Sequence, residues 1–118
     1  MKRTVEIPLK TVAGQNAREH HHVKAKRVKR ERNAAFLMTP MLYLPAHMVI
    51  TVTRVSPGTL DKHDNLSGAL KAVVDGIADK LGIKDNDPRV EWRYAQAVCP
   101  RREFGVRIEM EWTDDNEK

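Results

Sequence analysis

The sequence predicts an α+β fold: a two-layer sandwich in which a four-stranded mixed sheet carries two helices on one face, in the order β-α-β-α-β-β. Three observations lead there. Residues 16–38 run without proline or glycine, apolar residues between Leu66 and Leu81 recur at helical spacing, and four further stretches have the length and alternation of strands. At 118 residues the chain is read as one domain, residues 1–118, large enough to bury a core without disulfides.

In the first strand Val5, Ile7 and Leu9 alternate with Glu6, Pro8 and Lys10. Pro8 donates nothing to a ladder, which places this strand at a sheet edge or beside a bulge. Asn16 is positioned to cap a first helix reaching to about Met38. Its apolar stripe is thin, with Ala17, His21, Ala25, Val28 and Ala35 on one side, so most of its surface is left for water or for a phosphate backbone. Met48 to Val55 is apolar or β-branched on both faces apart from Arg54, the pattern of a central strand.

The second helix carries the strongest signal. Leu66, Leu70, Val73, Val74, Ile77 and Leu81 fall within a sector of about 100°, and Gly82 stands where a C-terminal cap glycine belongs. Val90 to Val98 and Phe104 to Trp112 read as two strands joined across Cys99 to Arg102 in an antiparallel hairpin. In the last strand Phe104, Val106, Ile108, Met110 and Trp112 face one way and charged residues the other. Residues 113–118 read as a frayed polar tail.

Composition narrows the function. Cys99 is the single cysteine, which excludes an internal disulfide and a cysteine-rich zinc site and fits a cytoplasmic setting. The basic N-terminus lacks the apolar run of a signal peptide, and no stretch approaches the roughly 20 apolar residues of a membrane helix, so no membrane partner is expected. Neither phosphate-cradling glycine motif is present, and no organic cofactor is expected. Between Arg18 and Arg32 seven basic residues face Glu19 and Glu31. The whole formal net charge of +5 therefore lies in this segment, and the rest of the chain is balanced. That asymmetry points to an anionic partner met by one face, the alternative being a solvated helix whose charges serve only solubility.

The chemistry-bearing residues flank the second helix. Asp61 and Asp64 precede it; Asp85 and Asp87 follow it in a short loop. Stepping about 100° per residue brings Asp64, Lys71 and Asp75 within about 40° of one another, away from the leucine side, with Gly68 beside them. Carboxylates suit Mg²⁺, which takes one or two from protein and keeps waters for a substrate phosphate. A straight helix of this length separates its ends by roughly 25 Å, so a shared site requires the loop from Gly82 to Pro88 to fold back or the helix to break near Gly68. His20, His21 and His22 are consecutive, point in three directions on a helix and do not chelate one metal together.

The run Asp64, Asn65, Leu66, then Lys71 and Asp75, then Asp85 to Asp87 leading into a strand, resembles the RusA family of Holliday junction resolvases, particularly its phage-borne members. Asn16 at the head of a basic helix is similar as well, and the resemblance spans about Val5 to Gln96. It implies a small homodimeric, Mg²⁺-dependent crossover junction endodeoxyribonuclease of bacterial or phage origin, nicking opposed strands of a four-way DNA junction in recombination and repair. It implies catalytic roles for Asp64, Lys71 and either Asp85 or Asp87, and metal ligation by Asp61, Asp64 and one of the later pair. Two departures stand out: Lys62 occupies a usually acidic position, and Asp64 and Lys71 are about one helical turn further apart than in bacterial members. DNA contacts are expected from Asn16, Arg18, Lys24 and Arg27, and from Lys29, Arg30 and Arg32. Phe36, Met38, Met41, Leu42 and Tyr43 are candidates for the dimer interface or, equally, for completing the core. The alternative is a non-catalytic or degenerate protein that binds branched nucleic acid through the basic helix.

Overall fold

Strands with branched, alternating side chains and helices with one greasy stripe can hide their apolar surface only against each other, and this chain does so in two layers. The computed structural model describes residues 1–11, 21–57, 66–99 and 104–113. Its elements follow the expected order: β1 (Lys2–Ile7), α1 (His21–Met38), β2 (Met48–Ser56), α2 (Ser67–Leu81), β3 (Val90–Val98) and β4 (Gly105–Trp112). They form one mixed four-stranded sheet, ordered β1-β4-β2-β3, and two helices.

β1 is an edge strand and ends at Ile7, just before Pro8. β2 is central, paired to β3 in parallel and to β4 antiparallel. The expected hairpin between the last two strands does not form, because β3 and β4 lie on opposite sides of β2. Burial explains the exchange. β4 turns Val106, Ile108 and Met110 into the core, whereas β3 is polar enough to serve as an edge, burying Val90 but exposing Glu91, Arg93 and Tyr94. Parallel pairing of β2 with β3 is what a long helical connection permits.

Met48, Ile50 and Val52 of β2 and Ile108 and Met110 of β4 form the sheet side of the core. Leu66, Leu70, Val73, Val74 and Ile77 of the α2 segment cover them, with Leu81 packed at the margin. α1 rests chiefly on α2, contributing Ala35 to the core. The two helices meet at Gly76. A Cβ there would collide with the Arg32 carbonyl oxygen and lie 2.8 Å from the Ala35 Cβ.

The inward stripe of α1 differs from the expected one. Ala25 is exposed, and the buried positions are Arg27, Glu31, Ala35 and, just past the helix, Thr39, a strict four-residue repeat. The Arg27 Nη1 donates to Glu31 Oε2 at 2.9 Å within this stripe, so a charged pair occupies positions that alanine or leucine would normally fill.

Candidate functional site

The site begins with the way α2 ends. Gly82 adopts a left-handed conformation (φ 70°, ψ 33°), open to glycine without steric cost. Its N–H donates to the Asp79 carbonyl at 3.2 Å and that of Ile83 to the Ala78 carbonyl at 3.0 Å, the paired bonds of a Schellman cap. The cap reverses the chain, and Ile83 then packs against the core margin. Two turns follow, Asp87 N–H to the Lys84 carbonyl at 3.1 Å and Val90 N–H to the Asp87 carbonyl at 3.1 Å. The indole Nε1 of Trp92 on β3 donates to the Asp85 carbonyl at 2.9 Å and fixes the loop against the sheet edge. The loop therefore folds back along α2, the condition on which a shared site depends.

The reversal brings Asp85 to Lys71. Lys71 Nζ lies 2.6 Å from Asp85 Oδ2 and 3.1 Å from Asp75 Oδ1, so one ammonium joins a carboxylate of the loop to one a turn along its own helix. Donation to Asp85, then to Asp75, raises the Lys71 pKa, and Lys71 in turn holds the Asp85 carboxyl below its usual range. The Lys71 ammonium thus bridges two carboxylates. Asp87 has a different fate. Both its oxygens engage Arg89, through Nη2 at 2.8 Å, Nε at 3.0 Å and the backbone N–H at 2.9 Å, and its pKa falls to about 2. Of the two later carboxylates, the structure brings Asp85 to Lys71 and commits Asp87 to Arg89.

Asp61, Asp64, Asn16 and Arg18, with His20 and Lys62, lie outside the described residues. α2 starts at Ser67, and Leu66 before it is already helical (φ −68°, ψ −51°) with no side-chain cap bond. Gly68, one turn before Ala72, has open space where a Cβ would stand, which leaves that surface of α2 accessible to a close approach.

The sequence matches no family model and no curated protein.

The basic helix divides into three sets. Arg27 is buried and bound to Glu31, which removes it from the expected DNA-facing residues. Lys26, Lys29 and Arg30 line an open groove with Asn33 and Leu37 on the outward side of α1, and Lys24 is exposed near the helix start. Arg32 turns toward α2 instead. Its Nε and Nη2 donate to Asp79 Oδ2 and Oδ1 at 2.6 and 2.9 Å, and it lines a cleft of about 350 Å³ together with Lys71, Asp75 and Asp85. This pair joins residues 47 positions apart, and the local pattern gives no sign of it. Tyr94 is equally hidden from sequence: it stands on β3 two residues beyond Trp92, on the same face, partly exposed, with a hydroxyl whose pKa is raised by partial desolvation and which feels the charges of Lys71 and Asp85.

Among the described residues no three His, Cys, Asp or Glu side chains gather into a metal-binding group. The hard oxygens of Asp85 and Asp75, converging on one cation, nevertheless fit an ion that takes only one or two carboxylates from protein. Of the expected interface residues, Phe36, Met38, Met41 and Tyr43 are exposed, Tyr43 fully, while Leu42 packs against the core. Lys80 sits 4.4 Å over the Phe36 ring. No helix among the described residues is long and apolar enough to cross a membrane.

Proposed function

We propose that the protein is a magnesium-dependent, structure-specific endonuclease that resolves four-way DNA junctions by paired nicks as a homodimer. One observation carries the reading: the loop after α2 folds back so that Asp85, 14 residues beyond Lys71, meets it at 2.6 Å in a cleft flanked by the basic helix. The same polar side of α2 leads back in sequence toward Asp64.

In this reading Asp85, with Asp64 and Asp61, would hold Mg²⁺, and the bound ion would supply Lewis-acid polarisation of the scissile phosphate and a more acidic attacking water. Lys71 stays protonated, as its raised pKa requires, so it offsets negative charge developing on the phosphate and does not act as a base. Asp85 stays ionised at neutral pH and offers oxygen acceptors. The outward cations of α1 hold phosphates without reading bases. A four-way junction presents equivalent strands to a two-fold symmetric enzyme, and the exposed Met38, Met41 and Tyr43 supply an apolar face for the second copy.

The non-catalytic alternative draws on the same contacts, since Lys71 already pairs with both carboxylates and fastens the loop. A labelled four-way junction incubated with Mg²⁺ separates the two. The nuclease reading expects paired nicks from the wild type and none from Asp64→Asn. Binding without nicking by the wild type refutes it, and equal nicking by the variant refutes the place given to Asp64.

A further inference from the structure

We propose that Arg32 is a ligand of the substrate phosphodiester inside the cleft, and that Asp79 is the positioning residue that aims it. The inference rests on the nuclease reading for its substrate, but its geometry is independent of any metal. Arg32 stands where α1 crosses α2, its backbone carbonyl over Gly76, so the close approach that only glycine permits fixes where its side chain departs. The bidentate engagement of Asp79 uses two of the five guanidinium N–H donors, at Nε and Nη2. Three donors remain, on Nη1 and Nη2. The guanidinium is held in one plane, and its free edge is spare for an anion.

Arg32 is 47% exposed, so the pair is not a sealed structural tie, and exposed ion pairs contribute little to stability. Its location is informative instead: it shares the 350 Å³ cleft with Lys71 and Asp85. Among Arg27, Lys29, Arg30 and Arg32, it is the one on α1 that lines that cleft. Lys71 and Arg32 therefore face the same space from two helices. A phosphodiester between them receives a point charge from Lys71 and a planar fork from Arg32, while the outward stripe of α1 provides affinity elsewhere on the DNA.

The test uses ¹⁵N-labelled arginine side chains. An immobile four-way DNA junction is titrated into wild type, Asp79→Asn and Arg32→Lys in EDTA, and nicking at saturating junction is then measured in Mg²⁺. The Arg32 Nη signals shift on junction binding in the wild type and not in Asp79→Asn. Both variants keep junction affinity within about threefold, because the outward stripe sets it. Both lose nicking rate at saturation on the order of a hundredfold, as expected for a misplaced group in a reacting complex. Arg32 signals that ignore the junction, or full nicking by either variant, overturn the proposal. Should Asp79→Asn lose its helical circular dichroism, Arg32→Lys alone decides. Inorganic phosphate that moves the Arg32 signals as far as the junction does also overturns the substrate role. A wild type whose Arg32 signals shift but which never nicks refutes the nuclease reading and leaves the phosphate site standing.

Discussion

Asp85 and Asp87 are two residues apart in one loop, and their neighbours give them different chemistry. Asp87 is held at both oxygens by Arg89, and its pKa falls to about 2. A carboxyl whose folded pKa lies below its unfolded value of about 3.9 adds stability that is complete above that value and is lost as pH falls through the folded pKa. The Asp87 contribution is therefore full at neutral pH and fades between about pH 4 and pH 2. Carbon-detected NMR of the Asp87 carboxyl should give a midpoint near 2 in the wild type, rising toward the free value in Arg89→Ala. An unchanged midpoint would mean that Arg89 is not the cause. Neither fate could be read from the chain, where Asp85 and Asp87 are equivalent alternatives. The choice depends on a Schellman reversal and on a bond from Trp92 to the Asp85 carbonyl, both of which need three-dimensional closure.

Among the elements, α2 was the most readable. Its apolar face, its glycine cap and the polar side bearing Lys71 and Asp75 all follow from spacing, and each is present in the fold. Less was readable in α1, because charge counting does not say which cations turn inward. The i,i+4 relation of Arg27 and Glu31 was the available signal for the buried pair. Pairing order is not legible because alternation identifies a strand without naming its neighbour, and a connection short enough for a hairpin does not oblige one. The two glycines inside α2 give a paired prediction. Gly76→Ala forces α1 and α2 apart and should destabilise by about 1–3 kcal/mol, the usual range for overpacking. Gly68→Ala meets open space and should stabilise by about 0.5–1 kcal/mol through helix propensity. Urea unfolding followed by circular dichroism measures both, and equal effects would contradict the helix crossing described.

For the whole molecule, an edge-exposed sheet and a pair of helices leave two differently charged regions on the helical layer. The cleft is balanced, with Arg32, Lys71 and Lys84 against Asp75, Asp79 and Asp85, whereas the outward side of α1 carries Lys26, Lys29 and Arg30. Affinity and chemistry should therefore separate. Replacing those three outward residues with alanine should flatten the dependence of log affinity on log salt by about 0.9 per cation removed, while leaving the nicking rate at saturation near that of the wild type. A variant that keeps its salt slope would place the DNA on another surface, and fluorescence anisotropy over a salt series reads this directly.

The central claim is that the reversed loop after α2 completes a nuclease site through Asp85. The most direct measurement is Mg²⁺-dependent nicking of an end-labelled four-way junction by wild type, Asp85→Asn and Asp87→Asn. The account predicts paired nicks from the wild type, loss of nicking in Asp85→Asn with junction binding retained, and substantial nicking in Asp87→Asn. A wild type that binds without nicking, or an Asp85→Asn variant that nicks like the wild type, would contradict it.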